Sequence, residues 1–362
     1  GIAFKEALLC GVDVSGSKTA LEKERKIRFD NLKSVMQSRQ LKNPDARIAF
    51  EEMDVSSLLT GHAISVQGLA TSDDPQFTCF YWEQTPGNIK WVGLRGTTSD
   101  TNLFSGYQRL LLWEDGSGKY FRHAMALKEV GRLGGWKSGT EERGKKGIII
   151  SQMNKIPVSI YGGEFYDHNA CVVVPNVDGQ ISALWCYLSS KKFYDEVRLI
   201  DQSLKPSNNT FLAVPFDEHF WTQEAAETYP QGLPKPHTND PTQWIFHGHP
   251  SASAIWDEAT KWTKEGPVRF DETVLQVAVA RLLGYQWPAE LDEAMELADE
   301  QRQLVDEVAK LNAFADEDGI VCLPAVRGEA PAHTRLEKLL VAAYEDDWKA
   351  GALDKLLDAV GS

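Results

Sequence analysis

The side chains with the strongest individual claim to chemistry are few and far apart. His247 and His249 stand two residues apart, so on an extended segment both imidazoles share a side, and Asp257 or Glu258 could add an oxygen ligand to a metal. A third ligand at firm spacing is missing, which favours a loop packed against its domain. Glu258-Ala-Thr-Lys261 sets a carboxylate near a lysine, but no partner Asp of a metal-dependent nuclease stands at strand spacing from it. Gly11-Val-Asp-Val-Ser-Gly-Ser-Lys18-Thr19 nearly spells a phosphate-binding loop, and its extra Ser moves Lys18 out of register with the phosphates. Gly-x-Ser-x-Gly is not present, so hydrolase chemistry lacks its usual nucleophile turn. These residues point to a chain without catalytic chemistry of its own.

A collective pattern is stronger. Arg109, Lys119, Arg122, Lys128, Arg132, Lys137, Arg143, Lys145 and Lys146 crowd one stretch, with Trp and Tyr interleaved. Lysine and arginine attract phosphates without regard to sequence, and amide or aromatic side chains between them add selectivity. Arg122, Lys137, Arg143, Lys145 and Lys146 are the expected phosphate contacts. Gln67, Thr71, Gln152 and Asn154 are neutral hydrogen-bonding side chains suited to base edges. The competing reading leaves the cations as solvated surface and lets Gln67 and Thr71 serve only their own turn.

The net charge of −14 argues against nucleic acid until its distribution is examined. Residues 271–362 hold 20 acidic against 8 basic side chains, leaving 32 against 30 in residues 1–270. The acidity lies in one C-terminal block, and a DNA binder needs only a local basic face.

The elements that would position these groups can be read coarsely. Residues 20–37 predict a Lys/Arg-rich helix. Ile148–Ile150, Val158–Tyr161 and Cys171–Val174 read as three short strands making a small sheet that offers its loops to a partner. Asp115-Gly-Ser-Gly118 is a hairpin signal, with Lys119–Arg122 as a following strand. Ala183–Ser190 predicts a helix, Leu204–Pro215 a strand, and the Pro-rich run 232–241 a linker. From Ala254 the pattern turns helical: 274–283 is apolar on nearly all sides, 291–314 is acidic and amphipathic, 320–323 is a short strand, and 336–344 is helix again. The division expected is an N-terminal helical segment (1–55), an α/β (α+β) domain with small mixed sheets (56–245), and a mostly α-helical C-terminal domain (246–362).

The stretch GKKGIIISQMNKIPVSIYGGEFYDHNACVVVP (144–175), with a helix like Ala183–Ser190 and a run like Asn209–Phe216 after it, resembles the target-recognition region of type IIG, Eco57I-like adenine-specific DNA methyltransferases of phage-defence restriction-modification systems. Gln67–Phe77 with Thr78-Cys-Phe-Tyr-Trp-Glu83 resembles the block that opens that region, although Ser72-Asp73-Asp74 stands where relatives often carry a Gly-Asp-Asn-type turn. The segments LQVAVARLLGYQWPAELDE and DEDGIVCLPAVRGEAPAHTRLEKLLVAAY resemble the family's downstream helical part. The resemblance implies double-stranded DNA as partner and a methyltransferase catalytic domain in cis or in trans. S-adenosylmethionine would belong to the parent enzyme and not to this chain, which has no Pro-Pro dipeptide and no Gly-x-Gly-x-x-Gly. It also implies a chain that stops short of the family's length at both ends, in keeping with the missing initiator Met. The alternative is a protein-interaction or regulatory module of a defence complex that does not bind DNA.

Five cysteines at wide spacing, without C-x-x-C, argue against disulfides and zinc sites and favour inert thiols in a reducing cytoplasm. No apolar run approaches the ~20 residues of a membrane span.

Overall fold

The computed structural model describes residues 7–14, 16–40, 48, 58–85, 87–132, 136–153 and 155–361. Its N-terminal part holds β1 (Leu8–Gly11), α1 (Ala20–Phe29), β2 (Lys33–Met36) and the short α2 (Gln37–Gln40), with β1 and β2 paired antiparallel. The predicted helix over 20–37 therefore ends at Phe29. Thr19 and Glu22 form a capping box at its start. Ile27 and Leu32 are exposed.

Two four-stranded sheets carry the α/β part. Its elements in chain order are β3 (Ala63–Gln67), α3 (Asp74–Phe77), β4 (Thr78–Phe80), β5 (Trp91–Arg95), β6 (Arg109–Leu112), α4 (Lys119–Glu129), β7 (Gly147–Ser151), β8 (Val158–Tyr161), β9 (Phe165–Tyr166) and β10 (Ala170–Pro175). The first sheet runs β3-β10-β7-β8, antiparallel throughout, so the three predicted strands pair as expected and β3 joins their edge. The second runs β4-β6-β5-β9, with β5 and β9 parallel, which makes it mixed. Strands β7, β8 and β10 are buried along their whole length, in keeping with near-continuous apolar runs.

The first sheet is covered on both faces. Ile148, Ile150, Val158, Cys171 and Val173 enter the main core under α5 (Ile181–Leu188), while Ile149, Tyr161, Tyr166 and Val172 form a second cluster on the opposite face. Arg95 ties the two sheets together. Its side chain is fully buried, Nη2 donates to Ser159 Oγ and the Ile160 carbonyl at 3.1 Å each, and its guanidinium lies 3.7 Å above the Tyr107 ring.

Asp115-Gly-Ser-Gly118 does not turn a hairpin. It leads into α4, because Tyr120 and Ala124, one helical turn apart, bury against Phe77 and Trp136. Further on come α6 (Lys191–Ile200), α7 (Asn208–Leu212) and α8 (Glu218–Thr228). The strand expected over 204–215 is instead a loop and α7, nucleated by the Ser207 side chain accepting from the Thr210 N–H.

A hairpin of β11 (Ala254–Asp257) and β12 (Trp262–Glu265) precedes the helical region of α9 (Thr273–Leu282), α10 (Pro288–Leu291), α11 (Asp299–Val308), α12 (Ala332–Tyr344) and α13 (Ala352–Ala359). The single helix expected over 291–314 is broken after Leu291, and residues 320–323 form no strand. An α/β part with small mixed sheets followed by a helical region is thus the observed fold class. The main core runs through both, since Trp244, Val277, Trp287 and Val305 pack with Ile148 and Val158 in one cluster.

Candidate nucleic-acid interface

The register of the first sheet sorts the sequence-predicted contacts into two groups. Gln67, at the end of β3, pairs with Cys171 at the start of β10, and Ser151 at the end of β7 pairs with Ala170. The loops after β3, before β10 and between β7 and β8 therefore gather at one end. Gln67, Thr71 and Gln152 all belong to this end; Asn154 lies outside the described residues. Gly147 and Tyr161 mark the opposite end, where Arg143, Lys145 and Lys146 enter β7. A five-residue strand separates the groups by about 15 Å.

At the first end, Gln67 is exposed and its Nε2 donates to the His168 carbonyl at 2.7 Å. Lys205, which the sequence had not singled out, reaches the same place: Nζ donates to Asn169 Oδ1 at 2.9 Å and lies 3.5 Å from the His168 carbonyl. Thr71 and Gln152 differ, each being 2% exposed. The Thr71 hydroxyl donates to Asp74 Oδ1. Gln152 Nε2 donates to the Pro206 carbonyl at 3.1 Å and its N–H to the Asn169 carbonyl at 2.9 Å, while Oε1 has no partner among the described residues. Both side chains hold loops rather than project from them. Gly68 lets the chains close here, because a Cβ on it would lie 2.2 Å from the Asp167 carbonyl oxygen.

Lys137 is linked to this end through its neighbour. The Tyr120 hydroxyl lies 3.0 Å from the Ala70 and Trp136 carbonyl oxygens, and Lys137 Nζ sits 4.8 Å above the Trp136 ring. Arg122 is exposed on α4.

At the opposite end the two lysines have acidic neighbours. Lys145 Nζ is 3.7 Å from the Glu142 carboxylate, and Lys146 Nζ is 2.8 and 2.9 Å from the two oxygens of Glu296. Arg143 stacks 4.7 Å over Phe165 at the rim of a cleft of ≈ 540 Å³. Tyr81, Trp91, Trp244 and Phe165 give that cleft aromatic walls, and α10 closes its far side.

His247 and His249 are buried. His247 Nδ1 accepts the His249 N–H at 2.9 Å, and His249 Nδ1 lies 3.0 and 3.3 Å from the Ala252 and Ser251 nitrogens, so both imidazoles are committed to backbone turns. Burial holds the His249 imidazole down to about 4 and that of His247 well below the usual range, with Arg269 and Arg281 adding repulsion. Among the described residues no group of three or more His, Cys, Asp or Glu is arranged to hold a metal. Of the thiols, Cys171 is buried and pushed up to about 12, whereas Cys10 is exposed. Among the described residues no helix is long and apolar enough to cross a membrane.

No family model and no curated protein matches the chain. Among solved structures it is similar to the type IIL restriction-modification enzyme MmeI in complex with DNA, at 12% identity and a TM-score of 0.29, over 87% of this chain and 36% of that one. The chain thus spans about a third of the length of that enzyme.

Proposed function

We propose that the chain is a DNA sequence-recognition region, working with an adenine-N6 methyltransferase catalytic domain supplied in cis or in trans. The observation that carries this reading is the gathering of polar loops bearing Gln67, His168, Asn169 and Lys205 at one end of a sheet in which β7, β8 and β10 are buried along their whole length. A rigid sheet that projects hydrogen-bonding loops can read base edges while nearby cations hold phosphates. Arg122, Lys137 and Arg143 supply the cations, whereas Lys145 and Lys146 already have carboxylate neighbours, and Gln67 is the exposed amide among the expected base contacts. In this reading S-adenosylmethionine binds the catalytic partner, the setting is a cytoplasmic type IIG restriction-modification system, and residues 56–245 form the recognition unit with 246–362 as its helical support.

The test is binding of the chain to random-sequence duplex across a salt series, followed by recovery of bound duplexes from a randomised pool. Phosphate contact predicts affinity that falls steeply with salt, and recognition predicts one enriched sequence. Affinity indifferent to salt sinks the reading.

The second reading, a protein-docking module, is favoured by Ile89 (89% exposed) and Leu291 at the rim of the aromatic cleft. Salt-indifferent behaviour on DNA, together with retention of a methyltransferase subunit, would favour it.

A further inference from the structure

We propose that the Gln67 end of the first sheet is the surface that meets duplex DNA, with Lys205 and Lys137 as its phosphate contacts, and that the Lys145–Lys146 turn serves the chain's own acidic block instead. This deepens the DNA-recognition reading and rests on it.

Charge availability separates Lys137 and Lys205 from Lys145 and Lys146. Lys146 already has a carboxylate within 3 Å, and Lys145 has one at 3.7 Å. Either must loosen that contact to take a phosphate. Among the described residues Lys205 Nζ touches neutral oxygens and Lys137 Nζ an indole face. Among the described residues neither forms an ion pair, so a phosphate adds a charge-assisted contact without removing one. Of the nearby carboxylates, Asp100 is paired with Lys155 at 2.9 Å, while Asp74 and Asp167 are held in place by the Thr71 hydroxyl and the Asn169 N–H and keep their charge.

Preorganisation points the same way. Gln67 and Lys205 converge on one carbonyl oxygen, which presents an amide and a cation side by side. The buried Gln152 side chain anchors Pro206, the residue after Lys205, so the lysine's backbone is held from within the fold. The loops that follow β3 and β7 are two strands apart, about 10 Å, with the 167–169 loop between them. That spacing matches a major groove about 12 Å wide. A Gln or Asn amide there can pair bidentately with adenine, while the lysines take backbone phosphates.

The experiment compares two charge reversals in the full chain by fluorescence anisotropy on a labelled random-sequence duplex at several salt concentrations. Lys137→Glu with Lys205→Glu should weaken binding about tenfold or more and flatten the salt slope by about one per cation removed. Lys145→Glu with Lys146→Glu should change affinity by less than about twofold. If a reversal disturbs the fold, judged by circular dichroism, the neutral pair Lys137→Gln with Lys205→Gln should still lower affinity and slope in the same direction. Loss confined to the Lys145–Lys146 variant, or equal loss in both, overturns the inference and leaves DNA recognition standing. A wild-type chain with no salt-dependent binding removes the underlying reading and the inference with it.

Discussion

Lys146 and Glu296 face each other across the joint between the first sheet and the helical region, Nζ lying within 2.9 Å of both carboxylate oxygens. One end of the sheet is thereby turned toward the acidic block, and 150 residues of sequence separate the partners. Both side chains are more than half exposed, so the pair is worth at most about 1 kcal/mol.

A charge swap tests that contact. Lys146→Glu alone should lower the melting temperature slightly by placing two carboxylates together, and adding Glu296→Lys should restore it. Failure of the double variant to recover would show that the two side chains do not interact in solution.

A deeper ion pair should respond more strongly. Arg281 and Glu290 meet at 2.6 Å with almost no exposure, and Arg281 Nε also donates to the Gly248 carbonyl at 2.9 Å. Replacing Glu290 with Gln leaves the guanidinium buried and uncompensated. Urea denaturation should then show a loss of about 3–5 kcal/mol. A loss below about 1 kcal/mol would mean that water reaches this site.

These relationships differ in how far the sequence announces them. Ile148–Ile150 and Cys171–Val174 announce themselves as strands because β-branched runs between turn residues have few other uses. Lys119–Arg122 misleads, since Tyr and Phe favour strands locally, and only the burial of Tyr120 and Ala124 under Trp136 makes the segment helical. Gln67 and Gln152 share a residue type, yet one is exposed and the other buried, a difference that strand register decides. Lys205 gives no local signal. Its place beside Gln67 depends on a contact with His168, 37 residues away, across a turn that reads as strand in the sequence.

Acid should destabilise the chain through its buried histidines. The folded state holds His249 down to about 4 and His247 well below the usual range, against 6.5 for an unperturbed imidazole, because burial disfavours the charged ring. The unfolded chain therefore takes up more protons as pH falls. Stability is full above pH 6.5 and is lost progressively toward pH 4, by about 3 kcal/mol for His249. Denaturation midpoints measured from pH 7.5 to 4 should fall in this window. His249→Asn, whose amide oxygen can still accept the Ser251 and Ala252 N–H groups, should flatten the curve; an unchanged profile would assign the acid sensitivity elsewhere.

Gly68 offers the sharpest coupling between fold and proposed function. The residue follows Gln67 directly, its N–H donates to the Ala170 carbonyl at 3.0 Å, and a Cβ built on it falls 2.2 Å from the Asp167 carbonyl oxygen. The obstructing atoms are backbone, so neither chain can yield by a rotamer change. Gly68→Ala must push the end of β3 away from the 167–169 loop, and the misfit should cost about 1–3 kcal/mol. The same shift separates the Gln67 amide from the His168 carbonyl that it shares with Lys205. DNA affinity should consequently fall at a temperature where circular dichroism still reports a folded chain. Gly61→Ala provides the control, since a Cβ there meets nothing within 4 Å. If Gly68→Ala melts earlier but binds duplex as tightly as the wild type, the Gln67–His168–Lys205 arrangement supports the sheet and takes no part in recognition.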